Sequence, residues 1–164
     1  MSRASIVLCA RLPAIAKGIA EALLPDFQGE HLPYLPCTAL HMLHRQQEDT
    51  QADGNLAIHV FNTPGQALGA IPALLDVGDS HASQLAAVVV GGGFSDVVFN
   101  AMKLASEDKI KVPWLKADRS HFASMPPFSE PEAFGVKAAV RIKAMLLELR
   151  IGQDDGETEG VFLF

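Results

Sequence analysis

Arg11, Lys116, Asp118 and His121 are the side chains in this sequence whose types and placement can do chemistry on a small molecule. Each follows an apolar run: Arg11 comes after SIVLCA (5–10), and the other three lie at or just beyond the end of VPWL (112–115). Arginine and lysine can polarise a carbonyl or hold a carboxylate. A histidine beside an aspartate can move a proton near neutral pH, so His121 with Asp118 is the candidate acid–base pair. Leu12, Phe94, Trp114 and Phe122 offer apolar walls, Asn62 and Ser95 offer hydrogen bonds, and Gly92 and Gly93 leave backbone open to a ligand. Cations, one proton-transfer pair and apolar surface suit cyclisation, isomerisation or elimination of an apolar carbonyl-bearing substrate, with no cofactor. Hydride transfer needs more.

The glycine run in AAVVVGGGFSD (86–96) raises the competing possibility of a nucleotide site. A dinucleotide fold places its glycines in the first strand–helix turn, where the backbone must approach a pyrophosphate. Here that turn carries Arg11, Leu12 and Pro13, and Gly18 already lies inside the following helix. A tight turn that needed no side chains accounts for Gly91–Gly93, and Ser95 or Asp96 caps the helix beyond. No P-loop lysine motif is present, and the single tyrosine, Tyr34, is not in a Tyr-x-x-x-Lys pair. A nicotinamide-nucleotide oxidoreductase is therefore the second reading, and a non-catalytic regulatory or interaction module the third.

Other chemistry is weaker. His41 and His44 share one face of a helical stretch with His31 near in sequence, but no carboxylate joins them, and a solvated face explains them better than a metal. No metal site is expected. His59 alternates with apolar neighbours and reads as a core histidine or one that supports a site from behind, and Cys9 as a buried thiol. Cys37 stays open between an ordinary thiol and half of a Cys–His pair. No nucleophile elbow is visible. The acidic pair that a response-regulator receiver needs at the end of its first strand is missing.

The elements that must position these residues follow from the hydrophobic pattern. Apolar residues make up 49% of the 164-residue chain and charged residues 20%, as in a globular protein, and no apolar run approaches a bilayer span. The net charge of −6 argues against nucleic acid as a partner. The N-terminal apolar run reads as a strand rather than a signal peptide, so a cytoplasmic location is expected. Short apolar runs alternate with helix-period segments: SIVLCA (5–10), a helix from Pro13 ended by Pro25, LAIHVFN (56–62), a helix capped by Thr63, LAAVVVG (85–91), DVVFNAMKLASED (96–108), IKVPWLKAD (110–118) and a helix over 131–150. That pattern predicts a three-layer α/β/α sandwich, Rossmann-like with flavodoxin-like order, on a parallel sheet of four or five strands with right-handed connections.

Pro113 lacks a donor and points to an edge position. Residues 1–150 form one domain, with 29–55 as an insertion or lid. Residues 151–164 form an acidic tail whose apolar end can dock on this chain or serve as a homodimer contact.

LPAIAKGIAEAL, AIPALL, VVVGGGFSD and VPWLKAD together resemble a group of small fungal Rossmann-like α/β proteins. In that group P-A-I-A-K-G, V-G-G-G-[FY]-S-D and V-P-W-L-R-P-D recur. The resemblance runs from the first strand to the final helix and implies the architecture above. The shared positions are Pro13, Lys17, Gly18, Gly91, Gly92, Gly93, Ser95, Asp96, Trp114 and Asp118. Lys116-Ala117 departs from Arg-Pro, and 29–55 looks inserted. By analogy of fold and size, such proteins look like accessory enzymes of natural-product pathways, which implies secondary metabolism as the setting.

Overall fold

Runs rich in valine and isoleucine pair as parallel strands in the computed structural model, which describes residues 4–27, 57–73, 84–106, 111–151 and 159–164. The chain order is β1 (Ala4–Cys9), α1 (Pro13–Phe27), β2 (Ala57–Phe61), α2 (Pro64–Ala73), β3 (Gln84–Val90), α3 (Asp96–Ser106), β4 (Pro113–Lys116), a 3-10 turn (Arg119–Ser124), α4 (Pro131–Glu148) and β5 (Gly160–Leu163). The strands form one all-parallel sheet in the order β2-β1-β3-β4-β5. Helices cover both faces, giving the expected three-layer α/β sandwich. The segment 29–55, with His31, Tyr34, Cys37, His41 and His44, lies outside the described residues. Among the described residues no helix is long and apolar enough to cross a membrane.

Strand parity divides the core in two. Ile6, Leu8, Val89 and Leu115 point toward α1 and α4, where they meet Ile19, Ala138, Ile142 and Leu146. Val7, Val88, Val90 and Trp114 point the other way, onto Ile71 of α2 and Phe99 and Met102 of α3. Central strands buried on both faces need this unbroken apolar character, which is why β1 and β3 show no polar alternation.

Local signals account for the helix starts. Thr63 Oγ1 accepts the Gln66 N–H (3.3 Å), while Gln66 Oε1 accepts the backbone N–H groups of Thr63 (3.2 Å) and Asn62 (3.0 Å). This reciprocal capping box fixes α2 behind Pro64. α1 passes through Pro25 and continues to Phe27. A proline in the last turn removes one backbone donor without breaking the turns before it.

α1 and α4 touch at a pair of glycines. A Cβ on Gly135 would lie 2.5 Å from the Ile15 carbonyl oxygen, and one on Gly18 would lie 2.7 Å from that of Glu132. Only hydrogen fits at either position, so the two helices can approach backbone to backbone.

Two expectations about the sheet need correction. Pro113 does not mark an edge: β4 lies between β3 and β5, and proline is tolerated because it is the first residue of its strand. The apolar terminal residues pair with β4 as β5, from Pro113↔Gly160 to Lys116↔Leu163. The connections also do not share one hand. The steps β3 to β4 and β4 to β5 run the same way across the sheet, but α3 packs on one face and α4 on the other. The two crossovers therefore have opposite hands, although parallel crossovers are right-handed in nearly all folds. The long connection 117–130 and the glycine contact with α1 draw α4 to the face it occupies.

Candidate functional site

β1 and β3 are neighbours at the centre of the sheet, yet the chain leaves β1 for the α1 face and β3 for the α3 face. The divergence opens a crevice at their carboxyl ends, the place where open α/β sheets bind ligands. A cavity of about 120 Å³ lies there, on the α1/α4 side. Ala10, Arg11 and Leu12 come to it from the end of β1, Ile15 and Ile19 from α1, and Gly91–Gly93 from the turn after β3. Ala117, Phe122, Met125 and Phe128 follow β4, while Phe134, Ala138 and Arg141 belong to α4 and Phe164 closes β5.

The glycine turn is shaped by this chain's own side chains. Gly91 N–H donates to the Cys9 carbonyl (2.8 Å), holding the turn to the end of β1, and Phe94 N–H closes it on the Gly91 carbonyl (3.2 Å). Among the described glycines only Gly160 has a positive φ, so the turn does not need glycine for its backbone angles. It needs glycine for space. A Cβ on Gly92 would run into the Phe122 ring, and one on Gly93 would meet the Arg11 stem at 3.1 Å. Arg119 adds a clamp, its Nη2 donating to the Phe94 carbonyl at 2.9 Å. At the start of α3, Ser95 is the cap: its Oγ accepts the Val98 N–H at 3.3 Å. Asp96 sits in the first turn and pairs with Lys116 at 3.0 Å.

The predicted site residues divide between two faces of the sheet. Arg11, Leu12, Gly92 and Gly93 line the cavity. Lys116 and Trp114 share the opposite face, because alternation along β4 sends only Leu115 toward α4. Trp114 is buried edge-on against Phe99 (5.8 Å between centroids), and Lys116 lies 5.0 Å above the same ring while pairing with Asp96. That hydrogen-bonded pairing, with its Coulombic attraction, holds the Asp96 carboxyl below its ordinary value. Phe94 is buried in the same layer. Asn62 donates from Nδ2 to the Ala10 carbonyl (2.6 Å), so it braces the end of β1 beneath the cavity.

His121 and Asp118 do come together, with Nε2 3.5 Å from Oδ2, on the 3-10 turn that also delivers Phe122. Asp118 caps this turn by accepting the Ser120 N–H at 2.9 Å. Hydrogen bonding to Ser120 holds its carboxyl below the usual value, with smaller help from His121 and Arg141. The pair stands beside the cavity rather than in its lining.

Two features of the site go beyond the residues read from the sequence. Arg141 brings a second cation to the lining, and Phe128 and Phe134 join Phe122 in an aromatic wall. Phe128 and Phe134 stack at 4.9 Å with an interplanar angle of 26°, and Phe122 meets both edge-on. Helical spacing carried a signal for the first: Phe134, Ala138 and Arg141 fall on one stripe of α4. Phe128 lies in a loop, where no periodicity marks it. Burial pushes the Cys9 thiol up to about 12, in keeping with its core role, while His59 is half-buried on the outer strand β2, and that burial lowers its pKa. Among the described residues no three His, Cys, Asp or Glu side chains gather as a metal site would require.

The chain matches no model of a known family, no curated protein and no solved structure.

Proposed function

We propose that the protein is a cofactor-independent enzyme of cyclase or isomerase type, acting on a small apolar molecule that bears a carbonyl. One observation carries this reading: the cavity at the sheet's switch point is walled by apolar side chains, and among the described residues its only charged lining groups are the cations Arg11 and Arg141. Such a site draws in an apolar body and stabilises negative charge that develops on oxygen. Arg141 takes the part expected of Lys116, which is committed to Asp96 across the sheet. His121, held by Asp118 and next in sequence to the lining residue Phe122, is the candidate base for a carbon next to the carbonyl on a substrate that reaches past the lining, returning the proton elsewhere on the same molecule. No electron acceptor is needed for that step. The fungal resemblance is what suggests natural-product metabolism as its setting.

The test is proton exchange on phenylpyruvate in D₂O, followed by NMR at the carbon beside its keto group. The reading predicts exchange above the buffer rate that falls at least about a hundredfold in His121→Ala, in line with a typical acid–base contribution. Exchange no faster than buffer, or unchanged by that substitution, would remove the acid–base assignment.

A second reading has an observation of its own. Val161 and Leu163 are exposed on the outer strand β5, and an apolar sheet edge invites pairing with another chain. A homodimer through β5 would appear in native mass spectrometry and disappear in Val161→Lys; a monomer at every concentration would end this reading.

A further inference from the structure

We infer that the cavity takes a single flat aromatic ring carrying a carboxylate, an aryl or arylalkyl acid. The inference rests on the reading of the cavity as a substrate site and names the class of molecule it selects. Size is the first argument. A cavity of about 120 Å³ is of the same order as the roughly 150 Å³ that accommodates benzene, so its space suits one ring better than a fused pair. Shape is the second. Phe128 stacks on Phe134 while Phe122 stands edge-on to both, so the wall offers aromatic faces and edges of the kinds that pair favourably with a ring. Phe128 is also 58% exposed, leaving part of its ring at the mouth for an entering molecule.

Charge fixes the substituent. Arg11 and Arg141 line this apolar cavity, and among the described residues no carboxylate lines it with them. Neither arginine makes an ion pair among the described residues. Cations beside apolar walls favour a ligand that brings the counter-charge, and a guanidinium matches the planar geometry of a carboxylate. The Arg11 stem lies against Gly93, which limits the directions its head can take. A neutral ring would fill the walls but leave the arginines to water and, for Arg141, to the nearby Asp118, and a small inorganic anion the reverse.

The test is calorimetric titration of the intact chain with benzoate, phenylacetate, benzamide, 1-naphthoate and acetate. Benzoate or phenylacetate should bind at least about tenfold more tightly than benzamide, acetate and naphthoate, as expected for charge-assisted pairing inside a one-ring space. Arg141→Gln and Arg11→Gln should each reduce the preference of benzoate over benzamide, and both together should erase it. Melting temperatures check that both variants fold, and the comparison among ligands needs no variant at all. Benzamide binding as tightly as benzoate would overturn the acid assignment while leaving the cavity a ligand site. Failure of every ring compound to bind would overturn the cavity reading itself.

Discussion

Gly92 sits where a nucleotide-binding turn and a packing turn make opposite demands, so replacing it separates them. In this structure a Cβ there runs into the Phe122 ring, while the backbone angles would accept any residue. Gly92→Ala must therefore push the ring off its seat, an overpacking defect that costs about 1–3 kcal/mol. Phe122→Ala alone removes a partly buried ring and costs about 2–3 kcal/mol, below the range for a fully buried phenylalanine. If the two acted independently the double variant would lose about 3–6 kcal/mol. Once the ring is gone, however, the methyl introduced at position 92 no longer clashes, so the double variant should be no less stable than Phe122→Ala. The coupling is then about 1–3 kcal/mol in favour of the double variant. Urea denaturation of the four proteins measures it. A coupling indistinguishable from zero, or a Gly92→Ala variant as stable as the parent, would refute the claim that Phe122 is the reason for this glycine.

Gly135→Ala, whose Cβ would press on the Ile15 carbonyl, should cost about 2 kcal/mol or more, whereas Gly69→Ala in α2, with open space around it, should stabilise by about 0.5–1 kcal/mol; thermal melts of the pair check both signs. Asp118 has a folded pKa below its unfolded value near 3.8, so its contribution is present above that value and is lost as pH falls through the lowered one. The stability difference between the parent and Asp118→Asn should accordingly shrink from pH 5 toward pH 2, and a constant difference would contradict the capping role. Cys9, with its thiol pushed up to about 12 by burial, should resist thiol reagents at pH 8 in a Cys37→Ser background until urea unfolds the chain.

Much of the sheet was legible because central parallel strands leave an unmistakable signal. The runs ending at Cys9 and Val90 are apolar without alternation, and each is followed by a residue suited to start a helix, Pro13 or Ser95. The order of strands and the crevice between β1 and β3 follow from that rhythm together with the packing rules for α/β layers. Which face a side chain occupies was harder. In VPWLK the residues are apolar or amphipathic on both sides, and only the register with β3 and β5 sends Leu115 to α4 and Trp114 with Lys116 to α3. Lys116 looked like a site cation because the end of its strand is near the site, but a strand end has two faces.

The opposite hand of the last crossover was beyond the sequence for a similar reason. It depends on α4 settling against α1 through Gly18 and Gly135, a contact between residues far apart in the chain. Gly18 stood out in the helix as a motif residue, and its physical role turns out to be this close approach. Arg141 was within reach, one turn beyond Ala138 on the stripe that begins at Phe134, but a cation on the edge of an apolar stripe usually means a solvated flank.

The most direct test of the central claim is a methyl NMR titration of methionine-labelled protein with benzoate. Met125 lines the cavity, while Met102 is fully buried in the layer across the sheet. The account predicts a saturable shift of the Met125 methyl with the Met102 methyl unmoved. A shift confined to Met102, or none at either, would mean that the crevice between β1 and β3 is not where this protein meets its small molecule.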